Sequence, residues 1–123
     1  MTDKNLDDLH PLLKPLAIQF FQKCKEYDLD AFPTETFRDP AREDMLHAQG
    51  ITPATSETCK HCFEIDGKPA SKAFDFLIKD ANGQIIDKGT DSAYHLAGQI
   101  AEGLGMTWGG RFRTPDFDHV EIT

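Results

Sequence analysis

Between Leu6 and Tyr27 the apolar residues Leu9, Leu12, Leu13, Leu16, Ile18, Phe20, Phe21 and Cys24 recur at mostly helical spacing. The pattern predicts one amphipathic helix beginning near Pro11. Pro15, inside the run, counts against it, because proline lacks the amide that a helix interior needs. Asp30 to Phe37 then places Phe32, Thr34, Thr36 and Phe37 in a short β-compatible run, which predicts a strand. Asp39-Pro40 has the form of an N-cap with proline in the first helical position, so a second helix is expected over Pro40 to Ala48, stopped at Gly50.

Thr52 to Lys60 is polar and without periodicity, which predicts a surface loop of the kind whose edges often carry functional residues. Phe63-Glu64-Ile65 leads into the turn Asp66-Gly67. Lys72 to Lys79 reads as a largely buried strand in which Asp75 interrupts Ala73, Phe74, Phe76, Leu77 and Ile78. Asn82-Gly83 predicts a hairpin turn returning through Gln84-Ile85-Ile86-Asp87, hence a two-stranded antiparallel unit. Ser92 to Leu104 carries Tyr94, Leu96, Ala97, Ile100, Ala101 and Leu104 on one helical face, with Asp91 or Ser92 as cap and Gly105 as stop. A last strand is expected from Asp118 to Ile122. The mixed order of helices and hairpins indicates an α+β fold.

The 123 residues suit one domain, 1–123, with a core large enough to need no disulfide staples. A net charge of -8 and the lack of a Lys/Arg stripe argue against nucleic acid as a partner. No stretch approaches the roughly 20 apolar residues of a membrane span, and the opening residues Met1 to Asp8 are acidic where a signal peptide is basic, then apolar. Synthesis and retention in the cytoplasm is therefore the expectation, unless another export route operates. The three cysteines Cys24, Cys59 and Cys62 are too few for a disulfide framework.

His61 at the end of the polar loop, Asp75 in its apolar strand and His119 opening the last strand could together bind zinc, since two imidazoles and a carboxylate leave a position for water. Composition alone favours the plainer reading of a loop histidine, a hydrogen-bonded buried aspartate and a surface histidine. Cys59-Lys60-His61-Cys62 contains a C-x-x-C, which suggests a structural zinc site or a redox pair without hydrolase activity. No second C-x-x-C or close histidine pair completes a four-ligand site, and the pair is not placed between strand and helix of a βαβ unit. Asp80-Ala81-Asn82-Gly83 lacks the downstream glutamate of a calcium loop and is read as a turn.

Four blocks carry a resemblance. Thr34-Glu35-Thr36-Phe37-Arg38, then Leu46-His47-Ala48-Gln49-Gly50, then Cys59-Lys60-His61 with Ser71-Lys72-Ala73-Phe74-Asp75, and finally Trp108-Gly109-Gly110 with Asp116-Phe117-Asp118-His119-Val120-Glu121 follow one another in order. They are similar to motifs of the zinc D-Ala-D-Ala carboxypeptidase and L-alanyl-D-glutamate endopeptidase family, the VanY-like and phage endolysin peptidases. The chain departs from that pattern in having Cys59 for serine, Ser71 for glycine and thirteen residues between His61 and Asp75, more than the family commonly has. A hairpin through Phe63 to Pro69 would absorb the extra length without moving either ligand.

The resemblance implies a hedgehog/DD-peptidase-like fold, a small antiparallel sheet flanked by helices with Zn2+ at its exposed face. It implies His61, Asp75 and His119 as ligands and Asp116 as general base, with Asp118 an adjacent competitor. Arg38 would contact a substrate carboxylate or oxyanion, or else form a salt bridge with Glu35 or Asp39. Glu121 would orient a ligand histidine. Trp108 and Gly109 would line the peptide site, Trp108 being alternatively a core residue. The implied reaction is hydrolysis of a peptidoglycan stem peptide by a monomer, with L-Ala-D-Glu endopeptidase specificity expected and D-Ala-D-Ala carboxypeptidase as alternative. Action at the cell wall or periplasm after holin-mediated release would follow by the same analogy.

Overall fold

The computed structural model describes residues 3–51 and 59–123; most of the expected polar loop, residues 52–58, lies outside the described residues. In chain order the elements are α1 (Leu13–Glu26), β1 (Asp30–Glu35), α2 (Pro40–Ala48), β2 (Glu64–Ile65), β3 (Lys68–Pro69), β4 (Ala73–Lys79), α3 (Ser92–Gly103), β5 (Thr107–Trp108) and β6 (His119–Glu121). Short 3-10 turns occupy Leu6–Asp8, Lys60–Cys62 and Gly109–Arg111. The expected α+β class with a small antiparallel sheet is the observed one.

Pro15 does not break α1, because the helix starts at Leu13 and places the proline in its first turn, where amides have no intrahelical acceptor. Asp39 caps α2 by accepting from the Ala41 amide at 2.8 Å, and Asp91 caps α3 through the Ala93 amide at 2.9 Å. Gly50 and Gly105 follow α2 and α3 with φ of 75° and 90°, the left-handed conformation that ends a helix.

The main sheet has strand order β1-β4-β6-β5, antiparallel throughout, and β2 pairs with β3 in a separate ribbon. β1 is an edge, which is where Pro33 costs no ladder bond. The β2–β3 ribbon is the expected insertion hairpin: Asp66 and Gly67 form its turn with φ of 54° and 76°.

One expectation needs correction. Asn82-Gly83 does turn the chain, but Gln84 to Asp87 forms no strand; it touches β4 through an isolated Lys79–Ile85 bridge and an Ile86 N–H to Ile78 O bond of 2.8 Å. The reciprocal ladder bond is replaced by a side chain. Ile78 N–H donates to the Tyr94 hydroxyl at 3.2 Å, and that hydroxyl donates to Ile86 O at 2.8 Å, so Tyr94 is wedged into the pairing. Asp80 takes the Asn82 and Gln84 amides at 2.8 and 3.0 Å, as a turn residue does.

Alternation along β4 sets its two faces apart. Phe74, Phe76 and Ile78 enter a core with Leu13, Ala17 and Phe20 of α1 and Tyr94, Ala97 and Ala101 of α3. Asp75 and Leu77 are half-buried on the opposite face. Trp108 seals the core over Gly98, where a Cβ would stand 2.1 Å from the indole, so only glycine admits that packing.

Candidate metal centre

Strand register builds the site. β6 pairs with β4 so that His119 lies directly opposite Asp75, while Glu35 of β1 flanks Asp75 on the other side. His61 arrives on the Lys60–Cys62 turn, held by its backbone: Arg38 N–H donates to His61 O at 2.9 Å, and Lys72 N–H donates to Lys60 O at 2.9 Å. His61 is 4% exposed and His119 9%, so both imidazoles are withdrawn from bulk water.

Each ring nitrogen has an identifiable partner. His61 Nδ1 lies 2.7 Å from Thr36 O, a carbonyl that can only accept, so Nδ1 carries a hydrogen and Nε2 is the nitrogen left to face Asp75. His119 Nε2 lies 2.8 Å from Glu121 Oε1, which likewise assigns the outer hydrogen to Nε2 and turns Nδ1 inward. The inward atoms meet at one carboxylate oxygen: His61 Nε2 is 3.3 Å and His119 Nδ1 3.1 Å from Asp75 Oδ1. Glu121 is itself held by Lys60 Nζ at 2.6 Å.

The donor set fits zinc. Four ligands arranged tetrahedrally at about 2.0 to 2.1 Å stand roughly 3.3 Å from one another, close to the two distances just given. All three donor atoms lie within 4.8 Å of one another. Histidine ligands of zinc commonly donate their second nitrogen to a carbonyl or carboxylate, as both do here.

The electrostatics point the same way. Burial by itself would raise the Asp75 carboxyl, but hydrogen bonds from His119 and His61 hold it well below the usual carboxylate range. Burial would lower His119, but its bonds to Asp75 and Glu121 push it up to about 9. The pocket is thus built to favour positive charge.

Asp116 and Asp118 separate clearly. The Asp116 side chain is 52% exposed with Oδ2 4.0 Å from His119 Nδ1. Asp118 is partly buried, and burial, its hydrogen bond to Asp116 and the nearby Asp75 charge push its carboxyl up to about 8. A cleft of about 230 Å³ opens beside them, lined by Leu77, Ile86, Asp87, Pro115, Asp116 and Phe117 among others.

Three sequence expectations change. Arg38 is paired through Nε and a terminal nitrogen with Glu35 and at 2.5 Å with Glu43, so its charge is balanced inside the fold by Glu35 and Glu43, with Asp39 capping α2 instead. Trp108 is 2% exposed and donates from Nε1 to Phe117 O at 2.9 Å; it shapes the Asp116 loop from within the core and presents no ring for a peptide to lie on. Gly109 also acts from within: its carbonyl accepts the Asp116 amide at 2.9 Å, and a Cβ there would stand 2.4 Å from Asp116 O.

Sequence reasoning missed the Thr36 carbonyl, because a backbone acceptor leaves no mark in the side-chain pattern. It also missed Glu43, which reads as an ordinary polar position of α2 yet is 0% exposed and joins Cys59 and Cys62 in a second cluster of potential ligands.

No protein-family model matches the chain. In sequence it is 28% identical, over 94% of its length and 74% of the relative's, to the peptidoglycan L-alanyl-D-glutamate endopeptidase CwlK of Bacillus subtilis. In structure it matches the crystal structure of the Serratia marcescens L-Ala D-Glu endopeptidase ChiX with a TM-score of 0.70, covering 100% of this chain and 89% of that one at 20% identity. The second likeness establishes the shared fold.

Proposed function

We propose, from the chain's place in the D-Ala-D-Ala carboxypeptidase and L-alanyl-D-glutamate endopeptidase family, that it is a zinc-dependent peptidoglycan peptidase cleaving the L-Ala-D-Glu bond of the stem peptide. The observation that carries this reading is the convergence of His61 Nε2, Asp75 Oδ1 and His119 Nδ1, each imidazole with its outer nitrogen already committed. Both named relatives are L-Ala-D-Glu endopeptidases, which favours that specificity over D-Ala-D-Ala carboxypeptidase.

In this reading His61, Asp75 and His119 hold the zinc, which when bound supplies Lewis acidity toward a water and the scissile carbonyl. Asp116 takes the proton of the attacking water and returns it to the leaving amine. Its exposure leaves it reachable by substrate. Thr36 O and Glu121 keep the two imidazoles in the tautomers that ligation requires. The cleft floored by Leu77, Ile86 and Phe117 gives the peptide a half-apolar surface next to Asp116. Residues 1–123 then act as one peptidase domain whose workplace is the cell wall.

The test is mass spectrometry of purified muropeptides incubated with the zinc-loaded protein and with a chelated control. New termini at Ala and Glu that vanish with chelator are expected. Chelator-sensitive loss of terminal D-Ala alone would transfer the chain to the carboxypeptidase branch, and no cleavage at all would remove the hydrolase reading.

A further inference from the structure

The turn that carries His61 also carries two thiols with no part in the hydrolysis just described. Cys59 and Cys62 bracket the Lys60–Cys62 turn, which closes through Cys62 N–H to Cys59 O at 3.1 Å. The two thiols, three positions apart on the turn, lie close together. A carboxylate oxygen of Glu43, from α2, lies with both sulfurs in one group whose members are all within 4.8 Å of one another. Glu43 and Cys62 are buried and Cys59 is half-exposed, which leaves an approach from solvent.

We propose that Cys59, Cys62 and Glu43 form a second metal site, suited to a thiophilic divalent ion of the zinc class, which clamps the His61 turn to α2. Three observations support it. Two cysteines with two residues between them around a tight turn form the chelating loop of structural zinc sites; sulfurs at about 2.3 Å from a tetrahedral ion stand roughly 3.8 Å apart, inside the observed grouping. Soft thiolate donors also select against magnesium and calcium, so the donor set itself names the class of ion.

Charge balance is the second support. Glu35 and Glu43 are already matched by Arg38 and Arg42, with Arg42 3.5 Å from Glu35. A divalent ion with two thiolates adds no net charge to that quartet, so burial does not strand an unpaired ion. Third, a carboxylate has lone pairs for several partners, so Glu43 can receive Arg38 at 2.5 Å and still offer a ligand oxygen. The sequence by itself argued against a site here for want of a further ligand. The fold supplies one from a helix sixteen residues upstream of Cys59.

None of these ligands belongs to the His61–Asp75–His119 centre, so the two sites can be read apart. Cobalt(II) titration of the full reduced chain is expected to bind two ions and to develop a near-ultraviolet thiolate-to-cobalt charge-transfer band. Replacing Cys59 and Cys62 together by serine should abolish the band and remove one ion, leaving the other. His119→Ala should keep the band and lose the other ion. A band with one ion bound in both the wild type and His119→Ala would sustain this site while sinking the hydrolytic centre. Cobalt binding without the band, in protein whose three cysteines all react as free thiols after denaturation, would overturn the proposal. The wild-type spectrum alone decides this even if the double variant fails to fold.

Discussion

Adjacent residues of β4 serve two different environments. Phe74, Phe76 and Ile78 point into a core closed by α1 and α3, where apart from the Tyr94 hydroxyl the packed groups are apolar and the interaction is mainly non-directional burial. Asp75 lies one pleat away on the other face, bonded to two imidazoles in turn bonded to Thr36 O and Glu121. The first face tolerates exchange of one apolar side chain for another at modest cost. The second depends on the position of single atoms. Stability and chemistry are therefore separable on this strand, although one register positions both.

The strongest test of that separation is His119→Ala. Metal bound at the centre and all chelator-sensitive hydrolysis should disappear together, while circular dichroism keeps the native spectrum, since Val120 and the β4–β6 pairing remain. Coincident loss of the fold would mean that the polar face carries the structure as well.

Asp116→Asn should come next, lowering turnover by about 10²–10⁴-fold, the usual contribution of a positioned base, with zinc content by mass spectrometry unchanged. Full activity in that variant would move the role to Asp118 or to no carboxylate. On the core side, Phe76→Ala should cost about 3–5 kcal/mol in urea unfolding, because the ring is 0% exposed among Phe20 and Tyr94. Its metal stoichiometry per folded molecule should stay the same.

A smaller effect is expected from Glu121→Gln: roughly 10–100-fold weaker metal affinity, measured by competition with a chromophoric chelator, as the Nε2 partner of His119 loses its charge.

The smallest concerns a carboxyl whose setting is the reverse of Asp75. Asp8 is raised from 3.8 to about 6 by its hydrogen bond with Asp3, by burial and by the charges of Asp3 and Asp7. The folded chain therefore binds that proton more tightly than the unfolded chain. The associated stability is fully present below about 3.8 and is lost as pH rises through about 6. Thermal midpoints across that window should flatten in Asp3→Asn; an unchanged slope would assign it to other groups.

Much of this was legible locally. Asp39 and Asp91 as caps, Asp66-Gly67 and Asn82-Gly83 as turns, and the alternation along β4 act within a few residues through backbone geometry, so they appear in the sequence as they appear in the fold. The hairpin absorbing the long His61–Asp75 spacing was readable for the same reason. The Gln84 to Asp87 strand was misjudged because Tyr94, a residue of α3, takes its ladder bond. Arg38 was left open because Glu43 reads as a solvated position of α2, and only the packing of the fold buries it against the arginine.

The sequence by itself determined the kinds of residue available for chemistry, the turns and caps that bound the elements, and which face of each element is apolar. Tertiary structure alone decided that His119 stands opposite Asp75 across 44 residues of chain, that Thr36 O selects the tautomer of His61, and that Glu43 meets two thiols. The physical reason is range: propensity and capping operate between near neighbours, whereas convergence of donor atoms follows from strand register and helix packing, which the chain settles as a whole.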